Sequence, residues 1–223
     1  MSEPVTNNPF EQSVARLRDT LRAQSEQLDK EQRARSNSDE RRILLPNVPW
    51  SAYVVLRDTL DSAGVRLTYL KGSLEIMIPS RKHKVYKKQV ARLLELFCLE
   101  RDIALYGYGP MTIRHEEKER GFDADECYSR GRAREVPEVA LEMPTTKSLL
   151  DKFVVYRGLG VREVWVYWFG GQFYIHALRG KRYERVETSE VFPELDLAAI
   201  GRYAEMPDQH IALCALRDEL RAR

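Results

Sequence analysis

The segment that decides the fold runs from Gly121 to Trp168 and reads GFDADECYSRGRAREVPEVALEMPTTKSLLDKFVVYRGLGVREVWVYW. Its apolar periodicity changes from that of strands to that of a helix and back again. The pattern predicts two strands, a helix and a third strand, at residues 122–128, 136–143, 148–159 and 163–169. The basic loop SRGRARE separates the first two strands, and Gly160 ends the helix.

The last of these strands is apolar on both faces. Its side chains alternate, so one face carries Val164, Val166 and Trp168. The other face carries Trp165, Tyr167 and Phe169. This composition is typical of an interior strand that is covered on both sides.

The rest of the globular region adds further helices and strands around this segment. Helices are predicted at 51–63, 82–99, 197–204 and 208–221, and strands at 65–70, 73–78, 103–106, 111–114, 172–178 and 182–186. The predicted architecture is α+β, with a central mixed sheet flanked by helices and hairpins at its rims. An N-terminal helical extension precedes it.

The extension is predicted to occupy residues 1–42, and the globular domain residues 43–223. Between Phe10 and Lys30 a narrow apolar stripe at helical spacing is formed by Phe10, Val14, Leu17, Leu21 and Leu28. The stripe is compatible with a frayed, solvated helix and with a short coiled coil that pairs two subunits, although Gln24 interrupts it. The polar run DKEQRARSNSDERR that follows indicates a linker.

The composition narrows the class of protein. In 223 residues, 36 Lys and Arg stand against 34 Asp and Glu, so the net charge of +2 creates no strong global field. Cys98, Cys127 and Cys214 form no CxxC pair, which favours reduced thiols in the cytoplasm over a disulfide frame. No apolar run is long enough to span a bilayer, and we expect a soluble, cytoplasmic protein.

Two carboxylates stand in apolar surroundings. Glu142 lies late in the strand VALEM and Asp125 lies within DADECY. A buried carboxylate is unfavourable unless a cation or a metal ion compensates it, and a single one is most often half of an ion pair. If the two strands pair, the carboxylates lie side by side, and ligation by oxygen alone suits Mg²⁺ or Mn²⁺.

A lysine on the helix completes this group. Leu149, Phe153 and Tyr156 form a stripe that should face the core, and Lys152 lies on the same side. Lys152 could extend along the stripe to the surface, or it could reach the two acids. Two carboxylates, a divalent cation and a lysine are sufficient to hydrolyse a phosphodiester, with the lysine orienting the water or neutralising the charge that develops on phosphorus. The chain contains no Ser/His/Asp order, P-loop or GxGxxG motif that would indicate another chemistry.

The motifs GSLEIMIPSRKH, DADECY, ALEM and DKFVVYRGLGVREVWVYW resemble the Uma-two family of proposed bacterial endonucleases. That family belongs to the PD-(D/E)XK, restriction-endonuclease-like superfamily. The resemblance covers roughly residues 43–203 and includes the closing FPELDL. It implies a restriction-endonuclease-like fold, a divalent metal and DNA as the substrate.

The resemblance also assigns roles to residues. It implies that Asp125 is the acid of the PD motif and that Glu142 is the acid of the second strand. Pro144 replaces the lysine expected two residues after Glu142, and the dipeptide Asp151-Lys152 matches the position to which family members commonly move it. His83 matches a histidine at the start of the first core helix, although it could equally make only a local hydrogen bond.

This sequence departs from the family at several positions. Ala124 replaces the usual proline before the aspartate, while Thr68 and Lys71 stand where acids are common around the first hairpin. Glu75 is a possible substitute as a third metal ligand. The other histidines, His115, His176 and His210, are predicted to be structural or exposed.

The leading hypothesis is therefore a Mg²⁺-dependent DNA endonuclease. Basic residues that could contact phosphates are Arg81, Lys82, Lys84, Lys87, Lys88, Arg130, Arg132 and Arg134. The alternative is a catalytically weak or inactive relative that serves as a nucleic-acid or protein interaction module. The N-terminal helix would then pair two subunits.

Overall fold

The computed structural model describes residues 40–60, 64–144 and 146–222, together with Ala15, Arg18 and Asp19. The strands are β1 (Arg41–Leu45), β2 (Arg66–Leu70), β3 (Ser73–Ile78), β4 (Leu105–Gly109), β5 (Thr112–His115), β6 (Arg120–Asp123), β7 (Glu126–Arg130), β8 (Val139–Glu142), β9 (Glu163–Trp168), β10 (Gln172–Arg179) and β11 (Arg182–Val186). The helices are α1 (Trp50–Thr59), α2 (Arg81–Glu100), α3 (Lys152–Leu159), α4 (Leu197–Ala204) and α5 (Gln209–Ala222).

The described strands form two sheets. The first has the order β1-β3-β2-β6-β5 and is antiparallel throughout, while the second has the order β11-β10-β9-β8-β7-β4. In the second sheet β8 and β9 are parallel and the other described neighbours are antiparallel. The α+β class and the central mixed sheet are confirmed. The β2–β3 hairpin, which was expected at the rim of that sheet, belongs to the first sheet instead.

The parallel pair fixes the position of α3. Two neighbouring parallel strands need a crossover connection, and here the chain leaves β8 at Glu142, passes through α3 and returns as β9. Helix α3 packs against β6 and β2 of the first sheet. Because Lys152 is the first residue of α3, it lies near the end of β8.

Three apolar clusters hold these layers together. The largest lies between the second sheet and helices α2, α4 and α5, with Trp165 and Tyr167 fully buried at its centre. A second cluster joins α3 to both sheets through Phe122 and Tyr156, whose ring centroids are 4.2 Å apart. The third packs α1 on the first sheet around Tyr53.

The prediction of one strand over residues 122–128 is wrong, because the chain changes sheets at Ala124. Asp123 is held in the first sheet, where its carboxylate accepts hydrogen bonds from Arg57 at 2.5 Å and from the Leu67 N–H at 2.8 Å. The next buried carboxylate, that of Asp125, is held by His83 and by the N–H of Met143. Because Asp123 and Asp125 have different partners, the predicted strand is interrupted between them.

The predicted start of the third helix at Ser148 is also wrong. The helix begins at Lys152, and the Asp151 side chain caps it by accepting the Val154 N–H at 3.3 Å. The N–H groups of Leu149 and Leu150 donate to the Glu75 carboxylate instead of entering a helical turn. Leu149 is consequently not part of a core-facing stripe and is 51% exposed.

The predicted helix of residues 10–30 lies almost entirely outside the described residues. Ala15, Arg18 and Asp19 are helical and exposed, which is in line with it. The coiled coil and the division of the chain at residue 42 stay predictions. Strand β1 begins at Arg41, within the run that was assigned to the linker.

Two observations concern the predicted free thiols and the search for membrane-spanning segments. Cys98, Cys127 and Cys214 are all free thiols. No helix among the described residues is long and apolar enough to cross a membrane.

We predict that Gly121→Ala destabilises the protein by about 1–3 kcal/mol through overpacking. A Cβ atom on Gly121 in β6 would lie 2.7 and 2.8 Å from Cζ and Cε1 of Tyr53, a fully buried ring that stacks on Tyr69. The control is Gly107→Ala in β4, where the new Cβ would lie 3.6 Å from Tyr128 at an ordinary contact distance. Urea unfolding measures both variants, and equal midpoints would contradict the predicted strain.

Candidate functional site

Asp125 lies where the chain passes from the first sheet to the second and is 2% exposed. Its Oδ1 is 2.9 Å from Nε2 of His83, and its Oδ2 accepts the Met143 N–H at 3.0 Å. Burial by itself raises the pKa of Asp125. The hydrogen bond and charge of His83 and the charge of Lys152 outweigh burial, so the pKa is lowered and the carboxylate is ionised.

His83 is positioned by the N-terminus of α2. The Ser80 side chain caps this helix and accepts the His83 N–H at 3.0 Å, while the imidazole ring points at Asp125. Nδ1 lies 3.3 Å from Oε2 of Glu40, which makes an ion pair, although the angles are unsuitable for a hydrogen bond. Burial lowers the pKa of His83, but the contacts with Asp125 and Glu40 prevail and raise it to about 9. The ring is thus a cation between two carboxylates, and His83 makes both the local bond and the contact with the site.

Glu142 is the last residue of β8 and lies opposite Asp125, since the antiparallel register pairs Glu126 with Leu141. Two groups from α3 reach its carboxylate. Lys152 Nζ is 2.6 Å from Oε2, and the Tyr156 hydroxyl donates a short hydrogen bond to Oε1. The structure therefore brings Asp125, Glu142 and Lys152 together, as the sequence predicted.

The protonation of this group follows from burial and proximity. Burial lowers the pKa of Lys152, but the charges of Glu142 and Asp125 outweigh burial and raise it. For Glu142, burial raises the pKa, Lys152 lowers it and Asp125 raises it again, and the net direction is upward. Lys152 is accordingly an ammonium ion that the negative charges of both Glu142 and Asp125 stabilise.

These contacts continue into a chain of alternating buried charges. Arg42 lies 2.6 Å from Glu40 and forms a short ion pair with Glu75. We call the series the buried charge chain, and its members in spatial order are Glu75, Arg42, Glu40, His83, Asp125, Lys152 and Glu142. Arg66 adds a further cation, with Nε 3.8 Å from Oδ1 of Asp125.

Glu75 has a structural task at one end of this chain. Besides Arg42, its carboxylate accepts hydrogen bonds from the Ser148 hydroxyl at 3.0 Å and from the Leu150 N–H at 3.1 Å. Glu75 thereby fastens the segment before α3 to the first sheet. Glu75 lies at the opposite end of the buried charge chain from Glu142, and its role as a third metal ligand stays a prediction.

A pocket of about 730 Å³ opens beside Glu142, Lys152 and Tyr156. One wall is the face of β9 that carries Val164, Val166 and Trp168, and the other is formed by Phe153 and described residues of the segment 144–151. The expectation that β9 is covered on both sides is therefore wrong for its C-terminal half. Asp125 is absent from this lining.

The donor set is of the type that Mg²⁺ uses. Two carboxylates on adjacent strands offer oxygen ligands, and Mg²⁺ is commonly held by one or two carboxylates while water and substrate phosphate complete its coordination. Within residues 40–60, 64–144 and 146–222, no cluster of three or more His, Cys, Asp or Glu side chains could hold a metal ion by itself. Asp125 and Glu142 thus fit a cation that is bound together with its substrate better than one held by the protein alone.

The basic residues predicted to contact phosphates divide into two groups. In the loop after β7, Arg130 pairs with Glu194 at 2.5 Å and Arg134 with Glu138 at 3.1 Å. Lys87 pairs with Glu126 at 3.3 Å. At the start of α2 the exposed cations are Arg81, Lys82, Lys84 and Lys88. These four cations of α2 make no ion pair with another described residue, whereas Arg130 and Arg134 are paired and Arg132 alone of the three arginines is not.

Sequence reasoning missed three participants in the site. Glu40 and Arg42 fall in the run that was assigned to the linker, yet both lie in the buried charge chain. Tyr156 was assigned to the core, and its hydroxyl in fact binds Glu142. A signal for Tyr156 was present in its position one turn after Lys152. His115, His176 and His210 make no contact with the site residues among the described interactions.

The mixed sheet, with a buried acid at the end of β8 and another before the adjacent β7, defines a protein of the restriction-endonuclease-like class. Residues 50–204 match the family Uma2, described as "Putative restriction endonuclease". The match spans more than half of the chain, and the protein belongs to the Uma2 family. No curated protein matches it.

We predict that the buried charge chain makes the stability of the metal-free protein depend on pH. Folding raises the pKa of His83 from 6.5 to about 9. The stability that the His83 cation contributes to the folded protein is therefore complete below pH 6.5 and is lost as the pH rises through 9. A shift of this size corresponds to on the order of 3 kcal/mol. Glu40 acts in the opposite sense, because burial raises its pKa but His83 and Arg42 lower it from 4.5 to about 2. Its contribution is lost as the pH falls below 4.5.

Urea unfolding in EDTA between pH 4.5 and 9.5 tests this prediction, and stability should be greatest between pH 4.5 and 6.5. His83→Gln should remove most of the decline toward pH 9, whereas the control His210→Gln at an exposed position should retain it. If His83→Gln does not fold, an NMR titration of His83 in the unaltered protein replaces it. A midpoint near or below 6.5 would contradict the account.

Proposed function

We propose that the protein is a divalent-metal-dependent endonuclease that hydrolyses phosphodiester bonds in DNA. The observation that carries the proposal is the convergence of Asp125, from the β6–β7 connection, with Glu142 of β8 and Lys152 of α3. Membership of the Uma2 family supports nuclease chemistry and DNA as the substrate. Mg²⁺ or Mn²⁺ is the cation that the oxygen ligands favour.

In this proposal Asp125 and Glu142 hold the metal. A divalent cation in such a site polarises a phosphoryl oxygen and lowers the pKa of a bound water. Asp125 supplies a carboxylate that His83 keeps ionised and fixed in orientation. Glu142 supplies the second carboxylate and is oriented by the Tyr156 hydroxyl.

The raised pKa of Lys152 supports one of its two expected roles more than the other. A general base must release its proton near neutral pH, whereas Lys152 is held as an ammonium ion by Glu142 and Asp125. As a cation in the lining of the pocket it can donate a hydrogen bond to the attacking water or to a phosphoryl oxygen. There it neutralises the negative charge that develops in the transition state.

His83 is a positioning residue in this scheme. It touches Asp125 and Glu40 and does not line the pocket. The exposed cations of α2, Arg81, Lys82, Lys84 and Lys88, are proposed to contact the DNA backbone. Pairing of two chains through the N-terminal helix remains part of the proposal.

A second candidate function is an inactive nuclease fold that serves as an interaction module. The observation that favours it is the saturation of the acids: both oxygens of Glu142 and both of Asp125 already have protein partners. A metal ion would have to share or displace these contacts. The two functions differ in cleavage, since the module would bind its partner and leave DNA intact.

We predict metal-dependent nicking of supercoiled plasmid at millimolar Mg²⁺ or Mn²⁺. Asp125→Ala, Glu142→Ala and Lys152→Ala should each lower the rate by about 100-fold or more, because each removes a ligand or a preorganised charge at the reacting phosphate. The control is Lys181→Ala, an exposed lysine in the β10–β11 turn, which should leave the rate unchanged. Thermal unfolding of each variant confirms that it is folded.

Two results would contradict the enzyme proposal. One is plasmid, linear duplex and single-stranded DNA that all stay intact with either metal. The other is cleavage that persists in the Asp125 and Lys152 variants, which would assign the activity to a different site or to a contaminant.

A further inference from the structure

The pocket beside Glu142 and Lys152 has a wall that phosphodiester hydrolysis does not require. Apart from its catalytic end, its lining is dominated by apolar side chains: Pro144, Leu149, Leu150, Phe153, Val164, Val166 and Trp168. Trp168 is 40% exposed and Leu149 is 51% exposed. A nuclease that touched only the sugar-phosphate backbone would gain nothing from apolar surface at this position.

The strand β9 explains why this surface is open. Its alternate residues Trp165 and Tyr167 are buried in the largest core cluster. On the opposite face Val164 is 1% exposed, Val166 is partly buried and Trp168 is exposed. Solvent exposure of this face therefore increases toward the C-terminal end of the strand. The segment on the other side of the pocket is fixed in place, because Glu75 binds Ser148 and the N–H groups of Leu149 and Leu150.

The charges around the pocket complement a nucleotide. Lys152 and Lys147 both line it, and Lys147 is exposed and makes no ion pair with any described residue. The lining also contains Arg42 and the carboxylates of Glu142 and Asp151, and Arg42 and Lys152 are paired with buried acids. The exposed Lys147, together with the cations at the Glu142 end, suits a ligand whose planar part has apolar faces and lies between negative groups. A DNA strand with an unpaired base has that form, since its base can stack on an aromatic side chain while phosphates lie on either side.

The dimensions suit a single base. A volume of about 730 Å³ is that of a small-molecule site, and bases within a duplex are stacked and reach a protein only through their groove edges. Enzymes that bind a base in a pocket take it from a single strand or extrude it from the helix.

We propose that this pocket binds an unpaired nucleobase next to the reacting phosphate, and that the substrate is therefore single-stranded or locally unpaired DNA. Trp168 supplies the stacking surface, which makes it a specificity-determining residue. The inference rests on the proposed nuclease function for its choice of ligand, but it concerns binding and is tested without cleavage.

The test measures binding of the full-length chain in EDTA by fluorescence anisotropy of three labelled probes of 12 nucleotides or base pairs. The probes are a thymidine oligomer, a blunt duplex, and an oligomer of abasic deoxyribose phosphate that keeps the charge and lacks the bases. The single strand should bind at least tenfold more tightly than the other two. Trp168→Ala should weaken binding of the single strand roughly tenfold, within the range for loss of one stacked base, and should leave the other probes unaffected.

Two matched variants separate stacking from general effects. Trp168→Phe keeps an aromatic face and should retain most of the affinity. Tyr106→Ala removes an aromatic residue of similar exposure, 44%, on β4, which does not line the pocket, and should change nothing. Equal binding of all three probes, an equal loss for all of them in Trp168→Ala, or no binding to any would overturn the inference.

Failure of the inference and failure of the nuclease proposal are distinguishable. Cleavage of duplex plasmid by a protein whose affinity for DNA is independent of Trp168 would overturn the base pocket and leave the nuclease. Preference for the single strand that depends on Trp168, without cleavage under any metal condition, would support the base pocket and overturn the nuclease.

Discussion

The ionised carboxylate of Asp125, with 2% of its surface exposed, is the constraint around which the site is built. A charge removed from water in this way is tolerated only when hydrogen bonds and opposite charges replace the lost hydration. His83 and the Met143 N–H meet the two oxygens directly, and Lys152 contributes its charge. His83 then needs a second acid to hold it as a cation, and Glu40 provides that charge. Each member of the buried charge chain compensates its neighbour.

The need to compensate the buried carboxylates also accounts for the position of Lys152 on a helix. Pro144 stands two residues after Glu142, where the resemblance would place a lysine, so β8 cannot supply the cation. The crossover that any parallel strand pair requires returns the start of α3 to the end of β8, and Lys152 reaches Glu142 from there. Glu75 fixes the connection by binding the residues just before α3. Its oxygens serve the scaffold, and Asp125 and Glu142 are the two proposed protein ligands of the metal.

The sequence predicted the local pairings of the site well and its distant partners poorly. The alternation in VALEM correctly predicted that Glu142 lies on a strand, because alternation within a strand is a local property, whereas Asp125 lies just before β7 and not on a strand. The helical spacing placed Lys152 on the inward face of its helix, and the family resemblance supported its role in the site. Glu40 and Arg42 could not be found, since the partners that join them to the site, His83 and Glu75, lie 33 or more residues away and polar residues near a linker carry no periodicity. The break at Ala124 was missed for a similar reason, as it depends on the bonds of Asp123 to Arg57 and Leu67.

The central claim is that Asp125 and Glu142 together bind a divalent cation beside Lys152. Anomalous diffraction from crystals soaked in Mn²⁺, with a short DNA strand present to supply phosphate ligands, tests it most directly. The account predicts one anomalous peak between the two carboxylates, at about 2.0–2.3 Å from an oxygen of each, and its loss in Glu142→Ala. Absence of a peak at saturating Mn²⁺, with the Lys152–Glu142 ion pair unchanged, would contradict it.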